Sequence, residues 1–292
     1  MDDAHKMQLW RLSLFALALV NSITYLGLVL TDGAMSYAMV GSTETCHLFT
    51  AQQYKAVMQC LALPYVFQTS WRCVLLSEYP NRRTYYDHPL NSVLVARLLA
   101  AVGEFCFGAQ LAMALYTVCV SSSVLPQAVV TGSALCIVAL DGIGQGCATY
   151  ATIQGSSFPF FIEGLMWSGI FAISLVLAST SVFAMAAIGT WRSVFLLLVI
   201  ALTIPGLVYM AVGYCPLCWE AWRKETMKQR HGSLIQETVH VDTFRGKAWE
   251  ALTVRAPTRE WSVWKHECTW QTLYFTVGTW SAIGLVMMPL QE

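Results

Sequence analysis

Apolar residues along this chain gather into long runs, where a water-soluble helix or strand would break them into an amphipathic or alternating pattern. Runs of about 20 apolar residues, the length that crosses about 30 Å of hydrocarbon, lie at residues 9–30, 93–120, 124–148, 158–188, 194–214 and 269–290. Residues 56–76 form a seventh run, interrupted by Pro64, Gln68 and Arg72. A membrane helix accommodates such a proline when its neighbours satisfy the released carbonyl. The pattern predicts an all-α, polytopic membrane protein of seven transmembrane helices, forming a single membrane domain over residues 1–292. Residues 215–267 are predicted to be a long cytosolic loop between helices six and seven. That loop mixes nine basic with seven acidic residues and carries Trp219, Trp222, Trp249, Trp261 and Trp264, a composition that lies along headgroups. Within it, "SLIQETVHVD" alternates weakly, as a short strand does.

Basic residues set the orientation, because connections facing the cytosol collect lysine and arginine. Lys6 and Arg11 open the first run, residues 31–53 carry no basic residue, and Arg72 near the end of the second run is followed by Arg82 and Arg83. Nine of the 17 basic residues then fall in 215–267, and Arg192 falls on the opposite side. The amino terminus is therefore predicted to be cytosolic and the carboxyl terminus to lie across the membrane. The first run is too long for a signal-peptide core and no small-residue cleavage site follows it, so it reads as a retained helix.

Composition agrees with a lipid environment: 56% of residues are hydrophobic and 12% are charged, about half the charged fraction of a soluble domain. Seventeen basic residues balance 17 acidic ones and no basic block forms an arm, which gives no nucleic-acid partner. The expected surroundings are the lipid bilayer, together with a small solute, an ion or a lipid-soluble substrate.

Charges inside the apolar runs are the candidates for chemistry. The stretch "ARLLAAVGEFCFGAQ", residues 96–110, holds Arg97 and Glu104. Seven residues turn a helix by 700°, so the two share a face about 10 Å apart along the axis. Ala101 and Gly108 lie on that face and let a neighbouring helix approach. Asp141, in "VALDGIGQGCATY", and Glu163, in "FPFFIEGLMW", fall in the same half of the membrane, with Gln145 one turn beyond Asp141. A single arginine shared by three carboxylates leaves at least one of them protonated, cation-bound or hydrated. The expected site is a cytosol-facing pocket lined by Arg97, Glu104, Asp141, Gln145 and Glu163. Glu104 is its deepest group and His88, just before the third run, a gating or proton-exchange histidine. In the competing structural reading, Arg97 bridges Asp141 or Glu104 and fixes only which helices touch. Gly142 and Gly146, at the G-x-x-x-G interval, are expected to form a close-packing face, since no strand precedes them to make a nucleotide-binding turn.

Most of the ten cysteines are scattered as small apolar residues would be. Cys215 and Cys218 instead form a C-x-x-C, and "KHECTW" supplies His266 and Cys268. The predicted topology puts both pairs on one membrane surface, where they could hold a structural zinc ion or act as a redox couple. Against this, H-x-C is poor zinc spacing. A retinal Schiff base needs a lysine in the last run, which has none, and haem or di-iron sites need histidines on facing helices. All six histidines fall at run ends or in connections.

Three functions remain. A transporter or gate would admit a cation, proton or small polar solute through the acidic pocket. A membrane-embedded enzyme would use one carboxyl as acid and its neighbour as base on a lipid-soluble substrate. A structural subunit would use its tryptophans and long loop to hold a homo-oligomer or a larger membrane assembly.

Overall fold

A helix needs good helix formers and not apolarity, so the helices of this chain overrun the hydrophobic runs at several ends. The computed structural model describes residues 2–36, 45–46, 49–79, 82–184, 191–232 and 243–288. The weak strand expected at 233–242 lies outside the described residues. The helices are α1 (Asp3–Ser36), α2 (Ala51–Val74), α3 (Val93–Ser122), α4 (Gln127–Gln154), α5 (Phe158–Ala184), α6 (Trp191–Val208), α7 (Cys215–Gly232), α8 (Phe244–Thr253), α9 (Trp261–Leu273) and α10 (Thr279–Val286). A π-helical turn, Tyr209–Tyr214, joins α6 to α7, and another, Tyr274–Gly278, joins α9 to α10. Both junctions keep right-handed helical dihedrals, so 191–232 and 261–286 each run as one helix with a widened turn.

Among the described residues, five helices are long and apolar enough to cross a membrane: Asp3–Thr31, Val93–Ser122, Gln127–Gln154, Phe158–Phe183 and Trp191–Met227. The remaining two predicted runs are also helical, over α2 and over 261–286, but they are not among those five. The polar side chains of α2, Lys55, Gln59, Gln68 and Arg72, dilute its hydropathy, while Lys265, His266 and Glu267 occupy the first half of the last helix. The expected loop 215–267 is also largely helical. The apolar run ends at Tyr214, but "RKETMKQR" is rich in straight-chain helix formers and carries the helix on to Gly232.

The chain divides into two compact units. The first comprises residues 1–78, 83–111 and 255–292, and the second residues 79–82 and 112–254. In the first unit α2 packs against α1 and α10, and α1 against α9. Short strands β3 (Ser77–Glu78), β4 (Arg83–Thr84) and β5 (Ala256–Pro257) form a small sheet, β4 pairing antiparallel with β3 and parallel with β5. A further pair, β1 (Thr45–Cys46) and β2 (Phe49–Thr50), is antiparallel. The core at one end of this unit gathers Met7, Trp10, Leu14, Cys73, Leu76, Tyr85, Trp264 and Phe275. Two glycines set its helix spacing. A Cβ on Gly103 of α3 would stand 2.4 Å from Gln68 Cγ and 3.0 Å from the Pro64 carbonyl of α2. A Cβ on Gly278 would stand 3.1 Å from Tyr65 Cζ.

In the second unit α5 is central, packing against α4, α6 and α7, with α8 against α4. Gly206 admits the Phe171 ring, to which a Cβ would come within 2.9 Å. The glycine that packs in α4 is Gly144, where a Cβ would meet Met166 Cβ at 3.4 Å. Nothing lies within 4 Å of a Cβ on Gly146. The expected G-x-x-x-G face is thus displaced: Gly142 and Gly146 are exposed and Gly144 is buried.

Candidate functional site

Each unit holds an apolar-segment glutamate bonded by a tyrosine from a π-helical turn. In the first, α3 carries Arg97 and Glu104 on one face as the seven-residue spacing requires, and Arg97 Nη2 donates to Glu104 Oε2 at 2.9 Å. The other carboxylate oxygen, Oε1, accepts from the Tyr274 hydroxyl, and Gln68 Nε2 of α2 donates to the same hydroxyl at 3.0 Å. The Arg72 guanidinium lies over the Tyr274 ring, 5.2 Å from its centroid. Arg97 and Glu104 are 3% and 6% exposed, so the ion pair is out of water. Three helical segments, α2, α3 and the last, are thereby tied by one polar chain.

Further buried polar groups fasten the same segments. Asn21 Nδ2 of α1 donates at 3.0 Å to the Phe275 carbonyl inside the widened turn. Gln110 Nε2 donates to the Met58 carbonyl at 2.9 Å and to the Ala282 carbonyl at 3.4 Å. Thr69 and Thr279 hydroxyls lie 3.0 Å apart. A π turn shifts the helical hydrogen-bond ladder by one residue, and a buried carbonyl beside it needs an outside donor. Asn21 supplies one.

In the second unit, Glu163 of α5 accepts from the Tyr214 hydroxyl at 2.8 Å. Asp141 and Gln145, one turn apart on α4, are joined by a 3.0 Å bond from Gln145 Nε2 to Asp141 Oδ1. Asp141, Gln145 and Glu163 are all buried. A Cβ on Gly144 would stand 3.9 Å from Glu163 Cγ, so Glu163 packs against α4 about one turn from Asp141 in the chain. At the start of α5, Ser157 donates to Glu225 of α7 twice, from its backbone N–H at 3.1 Å and from its hydroxyl at 2.5 Å.

The expected pocket residues thus fall into two groups: Arg97 and Glu104 in the first unit, Asp141, Gln145 and Glu163 in the second. His88 is exposed in the first unit, where its Nδ1 accepts from the Leu90 N–H at 3.2 Å and caps the short turn Pro89–Asn91. Cys215 and Cys218 lie on α7 and His266 and Cys268 on α9. Among the described residues no three His, Cys, Asp or Glu side chains are grouped to hold a metal ion, and these four are not such a group. Sequence reasoning passed over Tyr274, Gln68, Arg72 and Tyr214. Their only signal was polarity within an apolar run, which does not say toward which neighbour a side chain turns.

No protein family, curated protein or solved structure matches this chain. Its class rests on its own helices, five of them apolar and long enough to span a bilayer.

Proposed function

We propose that the chain is a seven-span membrane transporter with a cytosolic amino terminus, in which Asp141 and Glu163 carry a proton or a monovalent cation through the second unit. Two further spans are supported by length. The 24 residues of α2 extend about 36 Å at 1.5 Å per residue, more than the hydrocarbon thickness, and 261–286 is longer still. The orientation is supported by the skew of basic residues toward 215–267.

The observation that supports the reading is a buried acid on each of two packed helices, Asp141 of α4 held by the Gln145 amide and Glu163 of α5 held by the Tyr214 phenol. Two carboxyls sharing a buried site resist ionising together, so at least one takes up a proton or a cation readily. Glu104 is suited to a different task. Both of its oxygens are engaged, one by a guanidinium, and we assign it to holding the first unit together. His88 serves its own backbone turn.

The test is flux. In sealed proteoliposomes holding the purified chain and a pH-sensitive dye, an imposed gradient should collapse faster than in empty vesicles. Glu163→Gln and Asp141→Asn should each remove most of that flux without loss of folded protein. Absence of wild-type flux for protons, sodium and potassium alike, or flux unchanged in both variants, overturns the proposal and leaves a structural subunit.

A further inference from the structure

Away from the intramembrane carboxylates, two arginines of the first unit converge on one aromatic ring. The Arg11 guanidinium, near the start of α1, lies 4.1 Å from the Tyr85 ring centroid and 5.1 Å from that of Tyr86, and it donates to the Tyr86 hydroxyl. The Arg259 guanidinium, in the segment between β5 and α9, lies 5.5 Å from the same Tyr85 centroid. Among the described residues neither arginine forms an ion pair, and Arg11 Nε is buried without a hydrogen-bond partner. The nearby acids are engaged elsewhere: Asp87 with Arg255 at 3.0 Å, Asp3 with Lys6 at 2.9 Å, and Glu260 accepting from the Ser262 hydroxyl at 3.4 Å.

The aromatic ground beneath the arginines is fixed. Trp10 stands 6.1 Å from Trp261 and 6.3 Å from Trp264, and its indole N–H donates to the Thr272 hydroxyl at 3.0 Å. The Trp264 indole donates to the Thr258 carbonyl at 3.1 Å, next to Arg259. Two guanidiniums that share one ring lie within about 10 Å of each other, and guanidinium forks match the oxygens of a phosphate. Indoles and arginines at the end of a membrane helix mark the headgroup level.

We propose that Arg11 and Arg259 bind the phosphate of an anionic glycerophospholipid. A lipid fits better than a free phosphate because of what lies below. Leu12, Phe15, Leu19, Ile23 and Leu26 are all more than half exposed and continue from Arg11 along one side of α1, forming an apolar track for an acyl chain. The guanidiniums hold the phosphate and the track holds the tail. A zwitterionic lipid offers the same phosphate but no net charge, so the surface discriminates by charge.

The test titrates the full purified chain in neutral detergent with dioctanoyl phosphatidylglycerol, dioctanoyl phosphatidylcholine and inorganic phosphate, reading tryptophan fluorescence. Phosphatidylglycerol should bind tightest, and Arg259→Gln or Arg11→Gln should each weaken it by about fivefold or more. Arg245→Gln, an exposed arginine of α8, should leave it unchanged. Arg259 is exposed, so its variant keeps the fold and decides the matter if Arg11→Gln does not fold. Equal affinity for the two lipids, an unaltered affinity in Arg259→Gln, or competition by inorganic phosphate at equal concentration overturns the proposal.

Discussion

Glu104 and Glu163 are bonded alike and compensated differently. Each sits in an apolar helix, is buried, and accepts from a tyrosine at one end of a π-helical turn. Glu104 adds an arginine from its own helix at 2.9 Å, whereas the buried acid on the helix packed against that of Glu163, Asp141, is bonded by the neutral amide of Gln145. A glutamate bonded by a guanidinium and a phenol at once has both oxygens engaged, and its site resists rearrangement. In our reading, two buried acids on packed helices share the task of taking up a proton or a cation. The same tyrosine device thus serves rigidity in one unit and, in our reading, exchange in the other.

The largest effect should come from leaving Arg97 without its partner. Glu104→Leu is expected to destabilise the protein by about 3–5 kcal/mol, measured as thermal unfolding in detergent, and adding Arg97→Met should restore most of it. If Glu163→Leu proves as costly as Glu104→Leu, the two sites do the same work and the contrast fails.

Next is packing. Gly103→Ala should cost about 1–3 kcal/mol, because its methyl meets the middle of Gln68 and the α2 backbone. Gly164→Ala should cost less, since the atoms 2.7 and 2.8 Å from its methyl, Cys215 Sγ and Tyr214 Cδ1, belong to side chains that can turn. It should nevertheless draw Tyr214 away from Glu163 and lower flux. The same unfolding assay ranks the pair, and the reverse order would place the tighter interface in the second unit.

The tyrosines separate the roles at smaller cost. Tyr274→Phe and Tyr214→Phe should each lose about 0.5–1.5 kcal/mol, the usual net contribution of one hydrogen bond. Only Tyr214→Phe should displace the pH dependence of flux. An equal displacement in both would make Glu104 a carrier too. Smallest of all, Gly146→Ala should stabilise by up to about 1 kcal/mol, as its methyl enters open space.

Much of this arrangement was legible in the residue order. Runs of apolar residues located the helices, and the interval from Arg97 to Glu104 placed both on one face. What the pattern could not supply was the partner across a helix boundary. Tyr274 reaches Glu104 from 170 positions away in the chain and Gln68 reaches Tyr274 from 206 positions away, and periodicity speaks only of a helix's own faces. The widened turns were hidden for a related reason: they change which residues face inward without changing composition. Gly144 shows the cost of reading spacing alone, because the G-x-x-x-G interval drew attention to the two glycines on either side of the one that packs. The end of the sixth helix was placed at Tyr214 because hydrophobicity stopped there, although helix propensity did not.

The double bond from Ser157 to Glu225 gives the second unit a mechanical property. Together with the link from Tyr214 to Glu163, it rivets α5 to the helix leading into α7 at two separate points. Planks fastened twice cannot swivel about one pin; they tilt as a single beam. Loosening the inner rivet at Glu163 alone therefore still leaves α7 held to the start of α5 through Ser157.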